Sequence, residues 1–306
     1  MTAVRTAGID CGTNSIRLLV ADVDGGRLTD VVREMRIVRL GQGVDRTGRL
    51  APEALERTRA ALADYAATIR ATGAERVRMV ATSATRDAQN RDEFVELVRA
   101  ELGVPPEVIS GAEEAALSYA GAASVLDFAA GPVLVADIGG GSTELVRGGD
   151  GGALSAFSMD VGCVRMTERH LHDDPPTPEQ IAATVADLRA AIAEARRHVP
   201  LEPDVPFVGV AGTVTTIAAL ALGLDRYDSE AIHGSKISAA EVAEVTERLL
   251  AMTHEQRAAL PVMHPGRVDV IGGGALVLRT LVEEIGVDAV IASEHDILDG
   301  IALSLA

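Results

Sequence analysis

The 306-residue chain has no Trp, and aromatic residues make up only 2% of it. A core must therefore be assembled from Ala, Val, Leu and Ile, and the stacking platforms used by single-strand nucleic-acid binders are missing. Only two cysteines occur, Cys11 and Cys163, far apart and outside any Cys-x-x-Cys pattern. That argues against a disulfide scaffold or a zinc ribbon and fits a reducing, cytoplasmic setting. No apolar run approaches the ~20 residues needed to span a bilayer; Thr216 to Leu222 is among the longest. Met1 to Arg5 shows no apolar signal core with a cleavage site. Lys236 is the only lysine, and the formal charge is −17. Such an excess of acid excludes a broad basic face for nucleic acid. A small polyanion is still compatible, because a local arginine cluster or a metal ion can reverse the field within one cleft. No Gly-x-x-x-x-Gly-Lys-Ser/Thr run is present, which disfavours a P-loop NTPase.

Hydrophobic residues at 47% and charged residues at 24% describe a globular protein, and the length suggests about two domains. The pattern predicts strands over 6–10, 15–22 and 28–36, with Asp24-Gly25-Gly26 as a hairpin turn. A helix is expected from Pro52 to about Ala71, a strand over 77–81, a polar loop over 82–90, and helices over 92–101 and 112–123. A second strand-rich unit opens at Pro132, with strands over 133–137, 143–147 and 153–159 and a hairpin turn at Gly148 to Gly152. The loop Asp173 to Pro178 leads into a long helix to about Arg197. Further strands are expected over 207–210 and 288–292, with a final helix from Asp296.

A weak internal repeat carries the most information. Asp10-Cys-Gly-Thr-Asn-Ser and Asp137-Ile-Gly-Gly-Gly-Ser share the form strand, Asp, x, Gly, x, x, Ser, strand, at a separation of 127 residues. A duplicated α/β unit with a cleft between two glycine-rich hairpins is the simplest architecture. Glycine lets successive backbone N–H groups turn toward an anion, Ser or Thr adds a hydroxyl, and an Asp at a strand end offers a hard oxygen to Mg2+. Each loop alone reads equally as an ordinary turn.

Asp10 to Val20, Thr82 to Asn90 (Thr-Ser-Ala-Thr-Arg-Asp-Ala-Gln-Asn), Ser110-Gly-Ala-Glu-Glu-Ala115, Asp137 to Glu144 and Ala211-Gly-Thr213 together resemble the exopolyphosphatase / guanosine pentaphosphate phosphohydrolase family, Ppx/GppA. The matches continue in order through His233-Gly234 to Gly266-Arg267. The resemblance implies the duplicated ribonuclease H-like/actin-like fold of the acetate kinase/Hsp70/actin superfamily, in a short two-domain form. It places one domain at 1–125 and the other at 126–306, with the final helix, 295–306, packing back on the first. It also implies Mg2+-dependent hydrolysis of terminal phosphate from inorganic polyphosphate. Guanosine pentaphosphate hydrolysis is the alternative, and a non-catalytic alarmone or nucleotide sensor is the alternative of another class. An actin-like ATPase or sugar kinase, using 271–275 for adenine, is a further one. A homodimer is the general expectation for a soluble enzyme.

Carried over residue by residue, the resemblance makes Glu114 the catalytic base, with Glu113 as fallback, and Arg86 a bidentate phosphate clamp. Thr13, Asn14, Ser15, Arg17, Gly139, Gly140, Gly141, Ser142, Thr143 and Arg267 become phosphate-binding candidates. Asp10, Asp137 and Glu144 become metal candidates. His170 and His172 read as surface residues, and Cys11 as a small buried one.

Overall fold

The computed structural model describes residues 3–124, 131–149 and 151–306. The turn residue Asp150 and the expected boundary at 125/126 lie outside the described residues. By compactness the chain divides into two units, residues 1–126 with 295–306, and residues 127–294.

In the first unit, β1 (Val4–Cys11), β2 (Ser15–Asp24) and β3 (Arg27–Ile37) form an antiparallel meander. The parallel strands β4 (Arg76–Ala81) and β5 (Glu107–Val108) extend the sheet in the order β3-β2-β1-β4-β5. The helix Pro52–Thr72 starts with Pro at its first turn and stops at Gly73, whose left-handed backbone (φ 69°) lets its N–H reach the Arg70 and Ile69 carbonyls. Its buried residues, Leu55, Thr58, Leu62, Tyr65 and Ile69, recur three or four apart and form one face. Tyr65 is wholly buried and donates its hydroxyl to the Ile16 carbonyl (3.0 Å).

The second unit repeats this plan. It begins with β6 (Val133–Ile138), β7 (Thr143–Gly149) and β8 (Gly152–Met159) as the antiparallel meander. β9 (Phe207–Val210), β10 (Lys236–Ser238) and β11 (Ala289–Ala292) complete a sheet of order β10-β11-β9-β6-β7-β8. Strands β8-β7-β6-β9-β11 thus reproduce β3-β2-β1-β4-β5, parallel and antiparallel pairings included, and β10 is an added antiparallel edge strand. This is the duplicated actin-like arrangement, and its core is built almost entirely from aliphatic side chains.

Two expectations need correction, at 82–90 and at His170. Residues 82–90 are not all loop: Ser83–Asp87 forms a short helix that follows β4 directly and carries Arg86. The glycines of 271–275 lie in the helix Ile271–Ile285. A Cβ at Gly273 or Gly274 would come within 2.5 Å of Thr167 or Thr213, so these glycines permit close packing of the helix. His170 is half-buried, and its Nε2 lies 2.9 Å from Asp187 Oδ2; His172 is exposed, as expected.

Among the described residues, no helix is long and apolar enough to cross a membrane.

Candidate active site

Strand β1 delivers Asp10 to the sheet end, where it is buried with only 4% exposure. The chain then reverses: the Gly12 N–H donates to the Ser15 carbonyl at 2.9 Å. The segment after β3 braces this turn from outside, because Gly41 N–H donates to Thr13 O (2.8 Å) and Arg39 N–H to Asn14 O (2.8 Å). A Cβ at Gly41 would lie 2.2 Å from Thr13 Cγ2, so only glycine allows that approach.

Asp10 and Arg17 are cross-strand partners on β1 and β2. Arg17 donates from Nε (3.0 Å) and Nη2 (2.7 Å) to Asp10 Oδ2, and from Nη1 to Asp296. Asp296 caps the helix Ile297–Leu303, accepting the Leu298 N–H through Oδ1 (3.0 Å). Burial pushes the Asp10 carboxyl above its ordinary range, against the pull of Arg17. Two buried oxygens of this turn, Asp10 Oδ1 and Thr13 Oγ1, have no hydrogen-bond partner, nor does nearby Thr85 Oγ1. Buried polar atoms left this way cost free energy and mark places built for a ligand or water.

Glu114 enters from the helix Gly111–Ala123, which Ser110 caps by accepting the Glu113 N–H. Glu114 is buried at 7% exposure and accepts from Arg86 Nη1 at 2.9 Å; the same nitrogen donates to the Ile109 carbonyl (3.1 Å). Burial raises its carboxyl to about 7, opposed by the charge and hydrogen bond of Arg86, reinforced by the Asp10 charge, and eased by Thr82. A carboxylate poised there is matched to accepting a proton near neutrality. Glu113 is half-exposed and sits on Arg78 (2.9 Å) instead. One helix thus splits its adjacent acids between surface and interior.

The second unit repeats the turn: the Gly139 N–H donates to Ser142 O at 3.0 Å, 127 positions on from the Gly12 to Ser15 bond. Here the carbonyls are also held. Gly139 O accepts from Cys163 N–H (2.9 Å) and Gly140 O from Val164 N–H (2.8 Å), at the start of the helix Cys163–His170. Arg165 Nε donates to Gly141 O (2.7 Å). A Cβ at Gly162 would strike Gly140 O at 2.6 Å. With their carbonyls turned into the protein, these turn residues are suited to presenting N–H groups outward. Ser142 is buried, and the Thr143 hydroxyl is committed to the Val161 carbonyl (2.7 Å).

Asp137 and Glu144 are direct cross-strand partners, both buried, and Ser158 donates its hydroxyl to Glu144 (2.6 Å). Two carboxylates that face one another across the strands present their hard oxygens on one side of the sheet. Mg2+ is usually held by one or two carboxylates plus waters and substrate phosphate, so this hard-oxygen pair fits it. Among the described residues, no three His, Cys, Asp or Glu side chains converge to hold a metal.

Elsewhere in this unit, Ala211 follows β9 with a left-handed backbone (φ 70°), a strained conformation for a residue with a Cβ. The next residue, Gly212, lies against Arg267: a Cβ there would be 2.4 Å from Nη2. Arg267 Nη1 donates to Thr216 (3.0 Å).

Residues 19–306 match the Ppx/GppA phosphatase family. The chain belongs to that family. It is 54% identical, over the full length of both chains, to exopolyphosphatase 2 of Mycobacterium tuberculosis. Among solved structures it is similar to an exopolyphosphatase-like protein, at 47% identity and a TM-score of 0.96, with 99% of this chain and 98% of that one covered. It is also similar to the Aquifex aeolicus Ppx/GppA family member, at 31% identity and a TM-score of 0.82, covering 99% and 97%.

Within this phosphatase-family fold, the first unit gathers Asp10, Thr13, Arg17, Arg86 and Glu114. The second unit gathers the 139–143 turn with Asp137 and Glu144, and places Arg267 against Gly212. Sequence reasoning missed Thr82, Thr85 and Asp296. Thr82 and Thr85 are three apart in the polar run before Arg86, a helical spacing that the polar composition of 82–90 masks. Asp296 offered only a helix-cap signal.

Proposed function

We propose that the protein is a cytoplasmic exopolyphosphatase that removes terminal phosphate from inorganic polyphosphate by attack of water, with Mg2+ as its cofactor. The observation that carries this reading is Glu114: a buried carboxylate at about 7, held by Arg86 beside partnerless buried oxygens. Glu114 orients the attacking water and accepts its proton as the new O–P bond forms and the bridging P–O bond breaks, the shortened polyphosphate leaving with the bond's electron pair. Arg86 fixes the carboxylate's orientation and supplies positive charge for the phosphoryl oxygens. In the first unit, backbone N–H groups of Thr13, Asn14 and Ser15 are suited to a phosphate; in the second, those of Gly139 to Ser142, with Arg267, are suited likewise. Asp137 and Glu144 hold the divalent cation, which neutralises charge on the phosphoryl oxygens when bound.

The 54% identity to a protein named exopolyphosphatase 2 supports the substrate assignment. The test is phosphate release with Mg2+ from short and long polyphosphate, guanosine pentaphosphate and ATP, with Glu114→Gln in parallel. Polyphosphate turnover that falls about 10²–10⁴-fold in Glu114→Gln supports the proposal. Preferred turnover of guanosine pentaphosphate would move it to the alarmone, and tight binding with no turnover of any substrate would make the protein a sensor.

A further inference from the structure

In a trans peptide the carbonyl of one residue and the N–H of the next point in opposite directions, so holding a carbonyl aims the N–H that follows it. In the second unit, the first turn of the helix Cys163–His170 holds three successive carbonyls of the glycine turn. Gly139 O accepts from the Cys163 N–H (2.9 Å), and Gly140 O from the Val164 (2.8 Å) and Arg165 (3.1 Å) N–H groups. Gly141 O accepts from the Arg165 side chain, 2.7 Å from Nε. The N–H groups of Gly140, Gly141 and Ser142 are thus aimed away from that helix, and among the described residues none of the three has a backbone acceptor. We propose that Arg165 is a positioning residue for the substrate's phosphate: its Nε fixes the peptide between Gly141 and Ser142 so that the Ser142 N–H faces the anion. This rests on the reading that the 139–142 turn binds phosphate.

The duplication shows why a side chain is needed here. Gly141 matches Asn14 of the first turn, whose carbonyl accepts two backbone N–H groups, from Arg39 (2.8 Å) and Val38 (3.1 Å). In the second turn the first two peptides are likewise held by backbone, and the close seat of Gly162 on Gly140 keeps them so. The third is held through a side chain instead. Gly141 also has no Cβ to oppose rotation of the peptide that follows it, whereas Asn14 has one. Arg165 spans two peptides at once: its own N–H goes to Gly140 O while its side chain folds back to Gly141 O. Arg165 interacts elsewhere as well, so its charge and its Nε donor have to be tested apart.

Side-chain chemistry allows that separation. Glutamine, like arginine, carries an N–H-bearing nitrogen on Cδ, but without charge; lysine and methionine place a carbon there, and lysine keeps the charge. Isothermal titration calorimetry of inorganic triphosphate with Mg2+, on the whole chain in a Glu114→Gln background that suppresses turnover, reads binding directly. Steady-state polyphosphate kinetics of the single variants reads KM and kcat. Arg165→Met and Arg165→Lys should each weaken triphosphate about tenfold or more and raise KM by a similar factor, with kcat changed less than about threefold. Arg165→Gln should recover binding to within about threefold of the parent. Binding retained in Arg165→Lys and lost in Arg165→Gln would assign the effect to charge and overturn the proposal. A fall in kcat with KM unchanged, parental affinity in all three variants, or a parent that takes no triphosphate would overturn it too. If circular dichroism shows that Arg165→Met does not fold, the lysine and glutamine variants still decide. Triphosphate affinities in the expected order, from a chain whose wild type releases no phosphate from polyphosphate, would leave this inference standing and remove the hydrolase reading.

Discussion

Glu114 owes its character to neighbours. Burial favours its neutral form, Arg86 favours the ionised form, and the balance lies at about 7. As a base it must be ionised, so kcat/KM for polyphosphate should fall about tenfold per pH unit below 7 and level off above it. The linked effect on stability has the opposite sense. Between the ordinary glutamate range and 7 the folded protein holds a proton that the unfolded chain releases, so the stability contributed at this site declines as pH rises and is constant above 7. Denaturant melts of wild type and Glu114→Gln across that window should show the slope in the former only.

Asp299 behaves conversely. It is wholly buried, and burial alone would raise its carboxyl, but hydrogen bonds from His295 (2.9 Å) and Arg33 (2.6 Å) outweigh that and hold it at about 2. Its contribution is therefore full above about pH 4 and lost as pH falls toward 2. Asp299→Asn should cost about 2–3 kcal/mol at neutral pH, below the usual penalty for breaking a buried pair because Arg33 is one-third exposed. Chemical denaturation at pH 7 and pH 3 checks both the size and its reduction to about half in acid.

At the scale of elements, glycine contacts set the spacing of the helices that carry site residues. The helix Gly111–Ala123 holds Glu114, the helix Ile297–Leu303 begins at Asp296, and the two pack through Gly121 and Gly300. A Cβ at Gly121 would lie 1.8 Å from the Asp296 carbonyl, and one at Gly300 2.0 Å from the Leu117 carbonyl. Both obstacles are backbone and cannot rotate away. Gly121→Ala should therefore force the helices apart, costing about 2–3 kcal/mol and lowering kcat more than KM, since the Arg17 and Asp10 geometry shifts with Asp296. Thermal melting together with steady-state kinetics reads both effects.

The sequence made the strands of both meanders legible, because alternation, terminal acids and turn glycines are local signals, but it did not show the short edge strand β10. It could not say which of Glu113 and Glu114 faces inward, since that depends on where Arg78 and Arg86 arrive from elsewhere in the chain. Nor could it show that Arg17 lies between two acids, one of them 279 residues away. The short helix Ser83–Asp87 was hidden for the same reason: its polar residues are buried by tertiary packing rather than by an apolar stripe.

At the scale of the molecule, the first unit is discontinuous: residues 295–306 complete it after the whole second unit has intervened. Ile297, Leu298 and Ile301 are buried against Val80, Ile109, Leu117, Leu19 and Ala21. Three such side chains contribute about 5–9 kcal/mol, comparable to the stability of an entire domain. Removing 295–306 should unfold the first unit while leaving the second protected, which hydrogen exchange by mass spectrometry would resolve unit by unit.

The same discontinuity bears on biosynthesis. Strands β1 to β5 emerge from the ribosome long before the helix that completes their sheet's covering. At elongation speeds of roughly 5–20 residues per second, they wait on the order of 10–40 s with apolar surface uncovered. The half translated later has all its own parts first, so the order of maturation runs opposite to the order of translation, and the early half is the natural client of a chaperone.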